Sequence, residues 1–404
     1  MTGKDIADNP RNWQVTIIRT LDQIEAIRPV WEKMQADEPY PVINSDIDRY
    51  LSVLQAAEDE CRPLIILLKQ SDQPRAMIIG RLARRGIPLR VGYKTILKPE
   101  LRCLGVVYGG ILGGLTVEIC TILVQELMQT LARDEADVVL LNHLKIGTSK
   151  YYLCKKKPSL LCRGHFSVVE KHWQTKVPDT VEALYSRFGR KRRKEWKRLS
   201  RRLEEAAGGQ IEVKSYRHEC QIDEFARIAS KISAVTYKDK IGAGFEDTSQ
   251  TRSLLVQAAQ SNWWRGYVLY AGDEPCAFES GVIYGRTYFA EVIGYEPHWG
   301  PFSPGTILFI KVLEELCRSR SVNIFDYGFG NAEYKERFGT ESWLESSVHI
   351  FAPRPYPILI NTLQTIMLAL NSGLKYIVNR AGMLNWIKRC WRDLLQVRSV
   401  DKRH

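Results

Sequence analysis

Tyr288-Phe289-Ala290-Glu291-Val292-Ile293-Gly294-Tyr295, Ser303-Pro304-Gly305-Thr306 and Ile324-Phe325-Asp326-Tyr327-Gly328 form the stretch whose reading decides the fold. It reads as a strand over Arg286–Tyr295, a turn, an apolar helix over Ile307–Arg320 and a second strand over Val322–Tyr327. A Gly328/Gly330 loop and the pair Tyr334-Lys335 follow. Ser303 suits a helix N-cap, Pro304 the first helical position, and Gly305 lets an anion approach the backbone. No acidic side chain stands in that first turn. The positive helix end is therefore worth about 0.3–1 kcal/mol to an anion. A pyrophosphate suits such an end. A well-capped helix start with no ligand has the same sequence.

Working outward, the same element order occurs earlier in the chain. Trp13–Arg19 reads as a strand and Leu21–Gln35 as a helix. Pro63–Lys69 and Arg75–Ala83 read as neighbouring strands, and Val106–Leu112 as a strand ending in Gly113-Gly114. A helix over Thr116–Arg133 and a short strand over Val138–Asn142 complete the unit. Beyond it, Phe166–Glu170 reads as a strand, Val181–Glu205 and Glu224–Tyr237 as helices, and Asn262–Ala271 and Glu274–Ile283 as paired strands. The expectation is an α/β fold of two similar domains, residues 1–160 and 161–355. After a last strand over Ser346–Phe351, residues 356–404 read as an amphipathic helical tail, with Leu359, Leu363, Ile366 and Leu370 on one face.

The 404 residues carry a net charge of +12. Ten basic residues between Arg187 and Arg202 are opposed there only by Glu195. Like charges at helical spacing repel by a few tenths of a kcal/mol per pair, so an anionic partner is expected. The candidates are a donor's nucleotide phosphates, a nucleotide- or lipid-linked sugar, tRNA, or an anionic membrane surface met through residues 187–202 and 380–398. No zinc-finger, RNA-recognition or helix-turn-helix pattern occurs, which argues against DNA. The nine cysteines are scattered singly, which argues against a disulfide frame and a structural metal. Met1–Pro10 has no basic-then-apolar leader, and no long uncharged apolar run occurs. A cytoplasmic chain, or one attached to the inner membrane face, is the expectation.

The ordered set Tyr295-Glu296-Pro297, Ser303-Pro304-Gly305-Thr306, Phe325-Asp326-Tyr327-Gly328, Gly330-Asn331-Ala332-Glu333-Tyr334-Lys335 and Phe338-Gly339 resembles the GNAT-fold acyltransferases of the CelD-like type. Those are related in fold to the Fem-type aminoacyltransferases. Tyr237-Lys238 stands where that family has Trp-Lys, and Arg190–Leu203 resembles its Arg-rich helix. The resemblance implies two tandem GNAT-like domains with mixed central sheets. It implies transfer of an acyl group from acyl-CoA to an amino group of an envelope or polysaccharide-related acceptor, by direct attack and without a metal. A tRNA-dependent aminoacyltransferase is the alternative, and a non-catalytic envelope-assembly protein is another.

In a GNAT fold two central strands splay apart to admit the donor, and the resemblance makes Ala290–Tyr295 and Asn323–Tyr327 those strands. Asp326 and Glu291 are then the general-base candidates, Tyr334 the acid, and Lys335 the stabiliser of negative charge. Gly294 suits a bulge that opens the pair. Ser303, Pro304, Gly305 and Thr306, with Arg192 and Arg193, are the expected donor-binding residues.

Overall fold

The computed structural model describes residues 13–57, 60–91, 94–165, 167–235, 244–330 and 332–380. The first half of the chain holds β1 (Trp13–Ile18), α1 (Leu21–Ala26), α2 (Arg28–Ala36), α3 (Ile47–Ala56), β2 (Cys61–Gln70) and β3 (Gln73–Gly86). It continues through β4 (Leu89–Val91), β5 (Lys94–Leu97), β6 (Glu100–Gly113), α4 (Val117–Ala132), β7 (Val138–Lys145) and α5 (Ser149–Lys156). Next come β8 (Val169–Lys176), α6 (Val181–Ser186), α7 (Arg190–Ala207), β9 (Ile211–Tyr216), α8 (Ile222–Ala234) and α9 (Ser249–Gln260). Then follow β10 (Trp264–Ala271), β11 (Glu274–Tyr284), β12 (Thr287–Tyr295), α10 (Pro304–Ser319), β13 (Ile324–Phe329), α11 (Glu333–Phe338), β14 (Glu341–Phe351) and α12 (Pro355–Arg380).

The two expected sheets are joined edge to edge. Among the described residues twelve strands form one mixed sheet in the order β1-β2-β3-β6-β7-β14-β8-β13-β12-β11-β10-β9. The join comes from two neighbouring strands. β8 pairs with β13 on one side and β14 on the other, while β14, late in the chain, pairs back to β7. Each half otherwise repeats one plan of antiparallel strands, a crossover helix (α4 or α10) and one parallel pair.

Both parallel pairs are short. Cys103–Val106 of β6 lies beside Val138–Leu141 of β7, and Thr287–Phe289 of β12 beside Ile324–Asp326 of β13. Beyond these residues the strands part. Extra residues on the outer strand of each pair bend it away. On β6 the register jumps from Ile78↔Ile111 to Gly80↔Val106, so Val107–Gly110 oppose Ile79 alone. On β12 the bulged residue is Glu291, between the pairs Ser280↔Val292 and Gly281↔Ala290. Followed through β14 and β8, the pairings make β7 and β13 antiparallel, so the two notches open in opposite directions.

Helices cover both faces of the sheet. Trp196, Leu199 and Leu203 of α7 join the apolar face of α10 in one core, and α8 and α9 pack on the opposite face around Phe225 and Phe278. α4 and α3 play the corresponding parts in the first half.

Three expectations shift for local reasons. The single helix over Leu21–Gln35 is two, broken at Ile27, because Pro29 sits in the first turn of α2 and has no amide to continue α1. The helix over Val181–Glu205 breaks at Arg187–Gly189, where Gly189 becomes the N-cap of α7. The strand expected over Phe166–Glu170 lies instead at Val169–Lys176: Trp173 and Thr175 face the core while Glu170, His172 and Gln174 alternate with them, so the stretch looks polar in sequence.

A methyl group added at Gly281 would lie 2.4 Å from the Phe289 carbonyl oxygen and 2.7 Å from the Tyr288 ring, whereas among the described residues one at Gly114 meets nothing within 4 Å. Gly281→Ala is therefore expected to cost about 1–3 kcal/mol. Urea unfolding should show that loss, with Gly114→Ala close to wild type.

Candidate active site

The notch between β12 and β13 is built from Ala290–Tyr295, which run on past the last parallel pair, the parted end of β13 and the turn that starts α10. That turn differs from the expected cap. Ser303 is left-handed (φ 56°) and its side chain caps nothing. Its carbonyl instead accepts the amides of Thr306 (3.0 Å) and Ile307 (3.3 Å), and its own amide donates to Gly300 (3.0 Å). Pro304 has no N–H, so the expected row of open amides narrows to Gly305. Among the described residues a Cβ there would meet only the Tyr295 ring, at 3.8 Å, so their packing does not demand glycine. No acid stands in the first turn of α10. Gly294 is not the bulge: it pairs with Phe278, and a Cβ there would lie 2.5 Å from that ring.

Glu291, the bulged residue, lies 3.8 Å from Arg49 of α3, with about a third of its side chain open (35 % exposed). Desolvation raises its carboxyl above the ordinary range, and Arg49 opposes this only in part.

Asp326 sits where the strands part, and it is buried. One carboxylate accepts His172 Nε2 (2.8 and 2.9 Å), Gln174 Nε2 (3.0 Å), the Gly328 amide (2.5 Å) and the Tyr40 hydroxyl. Burial alone would raise this group. The hydrogen bond and charge of His172, then the bonds from Tyr40 and Gln174, bring it below the usual carboxylate range. The other ring nitrogen of His172 lies 3.3 Å from Glu345, which also accepts Trp343 Nε1 (2.6 Å). Trp343 stacks on His172 at 4.5 Å, and the Tyr108 hydroxyl lies 3.4 Å from both His172 and Glu345. Burial would lower the imidazole, but its bonds to Asp326 and Glu345 and their charges raise it to about 9. The cluster thus spans both halves, from Tyr108 on β6 and Tyr40 before α3 to Asp326 on β13.

Residues 190–336 match the family model described as an acetyltransferase (GNAT) domain. Residues 190–336 form a GNAT-type acyltransferase domain. Among solved structures the chain is similar to FemX, at 9% identity and a TM-score of 0.57, covering 83% of this chain and 98% of that one. It is also similar to a tandem GNAT protein from the clavulanic acid biosynthesis pathway, at 10% identity and a TM-score of 0.51, covering 85% and 100%. At such identities the likeness is one of fold. No curated protein matches.

Tyr334 packs against Phe309 and Tyr327 on the α10 face of β13, opposite to Asp326, which alternates with Phe325 and Tyr327. Lys335 is buried, and its ammonium donates to the Phe329 carbonyl at 2.7 Å, bracing the Gly328–Gly330 loop. Arg192 donates to the Arg337 carbonyl (3.1 Å), and Arg193 is exposed on the same helix. Nearer the α10 turn is Arg202, stacked over Phe302 at 5.6 Å. Tyr237, Lys238 and Asn331 lie outside the described residues, as does the tail from residue 381 onward. Among the described residues no helix is long and apolar enough to cross a membrane.

Sequence reasoning missed Tyr40, Tyr108, His172, Gln174 and Glu345. His172 and Glu345 fall outside the matched GNAT segment, on the two strands that join the halves. The available signal was a polar period of two, Glu170-x-His172-x-Gln174 on β8 and Trp343-x-Glu345 on β14.

Because Tyr40 ties the first half to a buried carboxylate, Tyr40→Phe should lose about 1.5–3 kcal/mol, the range for hydrogen bonds to charged groups. Equilibrium unfolding checks this, and a change under 0.5 kcal/mol would show the bond to be dispensable.

Proposed function

We propose that this chain moves an acyl group from a coenzyme A thioester to an amino group by direct attack. The observation that carries the reading is the parting of β12 and β13 after Phe289 and Asp326, above a helix start free of acidic side chains. The stretch of β12 beyond its parallel pairing with β13 suits a pantetheine amide chain. The Gly305 amide and the positive end of α10 suit the pyrophosphate. Arg202, with Arg192 and Arg193 further along α7, suits the remaining phosphates.

Glu291 is the proposed base. It is the bulged residue of β12, just beyond the parallel pairing, is partly open, and is shifted toward proton uptake. Asp326 is already saturated by donors and held ionised, which favours an anchoring part for it. The amine nitrogen attacks the thioester carbonyl while Glu291 takes its proton. The C–S bond then breaks, and the thiolate leaves with a proton, for which Tyr334 is the proposed donor. Buried Lys335 contributes positive charge at the loop bordering the notch. The acceptor is proposed to be an amine on an envelope sugar or lipid intermediate, on the strength of the CelD-like resemblance alone.

A second reading, transfer from aminoacyl-tRNA, is favoured by α7. Its one acid outside the last turn, Glu195, is taken by Arg337 (3.0 Å), leaving a basic face. tRNA binding through that face would weaken steeply with salt.

Glu291→Gln should lower kcat with an acyl-CoA by about 10²–10⁴-fold at little change in donor KM. The acid limb of the wild-type rate should lie above the ordinary glutamate pKa of 4.5 and vanish in the variant. Salt-dependent tRNA binding together with no turnover of any acyl-CoA would overturn the coenzyme A reading in favour of the second.

A further inference from the structure

We infer that His172 is a positioning residue for acyl transfer: held between the Asp326 and Glu345 carboxylates, it fixes the bend by which β13 leaves β12 and so keeps the donor notch open. The inference rests on the proposed placement of the donor in that notch.

The bend has an identifiable cause. Directly after Asp326, Gly328 takes a left-handed conformation (φ 65°), and its amide donates to the Asp326 carboxylate at 2.5 Å. At the same place the register with β8 shifts between Asp326 and Gly328. The chain therefore folds back on its own carboxylate instead of continuing along β12. Where that carboxylate stands decides where β13 goes, and His172 grips both of its oxygens.

His172 is 1% exposed, and each ring nitrogen faces a carboxylate, Asp326 at 2.8 Å and Glu345 at 3.3 Å. A neutral imidazole has one N–H and can serve only one of them; the imidazolium serves both. The surrounding groups favour the charged form. Asp326 approaches from β13, Glu345 and the Trp343 ring from β14, and the Tyr108 hydroxyl from β6. On its own strand lies Glu170, and His143 of β7, whose imidazole burial shifts down, stands within 4.0 Å of Glu170 and Glu345. The Tyr40 hydroxyl reaches Asp326 from before α3, and the Lys145 ammonium lies over Trp343 at 4.9 Å.

The sign follows. A histidine raised to about 9 stabilises the folded arrangement fully below its ordinary value near 6.5, and that contribution is lost as pH rises through about 9. Deprotonation removes one N–H, so the imidazole no longer donates to both carboxylates and the charge that holds them is lost; the bend loosens and donor affinity falls. Charge is gained and lost at His172 without contact to the reacting atoms, which makes the residue a positioning one.

The test is the donor KM against pH, with acetyl-CoA, in wild type, Glu345→Gln and His172→Gln. Wild-type KM should rise at least tenfold across pH 8–10 while kcat holds. Glu345→Gln, which removes one of the two carboxylates, should move that rise to lower pH by about one unit. His172→Gln should raise KM at least tenfold and leave it flat over the same range. A rise at unchanged pH in Glu345→Gln, or a wild-type KM in His172→Gln, would overturn the inference. If His172→Gln fails to fold, Glu345→Gln alone decides. Amide-exchange protection of residues 326–330 without donor separates this from the donor reading. A loss of protection near pH 9 in a wild type that binds no acetyl-CoA would sink the donor placement and keep the clamp. No such loss would sink the clamp.

Discussion

A buried carboxylate with four donors, Asp326, is the constraint on which the rest of this structure depends. It stands at the last parallel pair of β12 and β13, accepts the Gly328 amide where the chain turns, and draws in His172 and Gln174 from β8 and Tyr40 from the segment before α3. In a low-dielectric site such a group tolerates no missing partner: breaking a buried pair by deleting one side costs about 3–5 kcal/mol. Asp326 is therefore held ionised and fully engaged, and the proposed reaction assigns proton transfer to a group with spare capacity. Glu291, bulged from the neighbouring strand and partly open, has that capacity.

The same cluster explains why two repeated halves form one sheet. β8 and β14 lie between the parallel pairs and belong to neither by chain order, yet they carry His172, Gln174, Trp343 and Glu345. Their outer edges are paired to β13 and β7, so no open sheet edge is left where the halves meet. Tyr40 and Tyr108 close the cluster from the first half. The polar seam is thus a product of the join.

The two notches are alike in backbone and opposite in chemistry. In the first, the helix that follows β6 is capped by Thr116, whose side chain accepts the Ile119 amide, and Glu118 stands in its first turn. Those features neutralise the helix end. In the second, Ser303 caps nothing with its side chain, and no acid is present in the turn. An anionic donor is accordingly expected in the second notch and not in the first, because the helix end attracts charge only while it is unneutralised.

Local chemistry was legible in the residues themselves. Period-two and helical patterns marked the strand–helix–strand block of each half, the acid-free turn at Pro304–Thr306, and the basic helix docked by Trp196, Leu199 and Leu203, because these depend on neighbours within a few residues. Boundaries failed where one residue altered the backbone, as at Pro29 and Gly189, and the bulge was misplaced from Glu291 to Gly294 because register belongs to the partner strand. What only the tertiary structure decided was the company each polar residue keeps. Asp326 looked like a free base until His172, Gln174 and Tyr40, 154, 152 and 286 residues away in sequence, were brought onto it. Pairing across such separations is set by strand order and burial, and no local pattern records either.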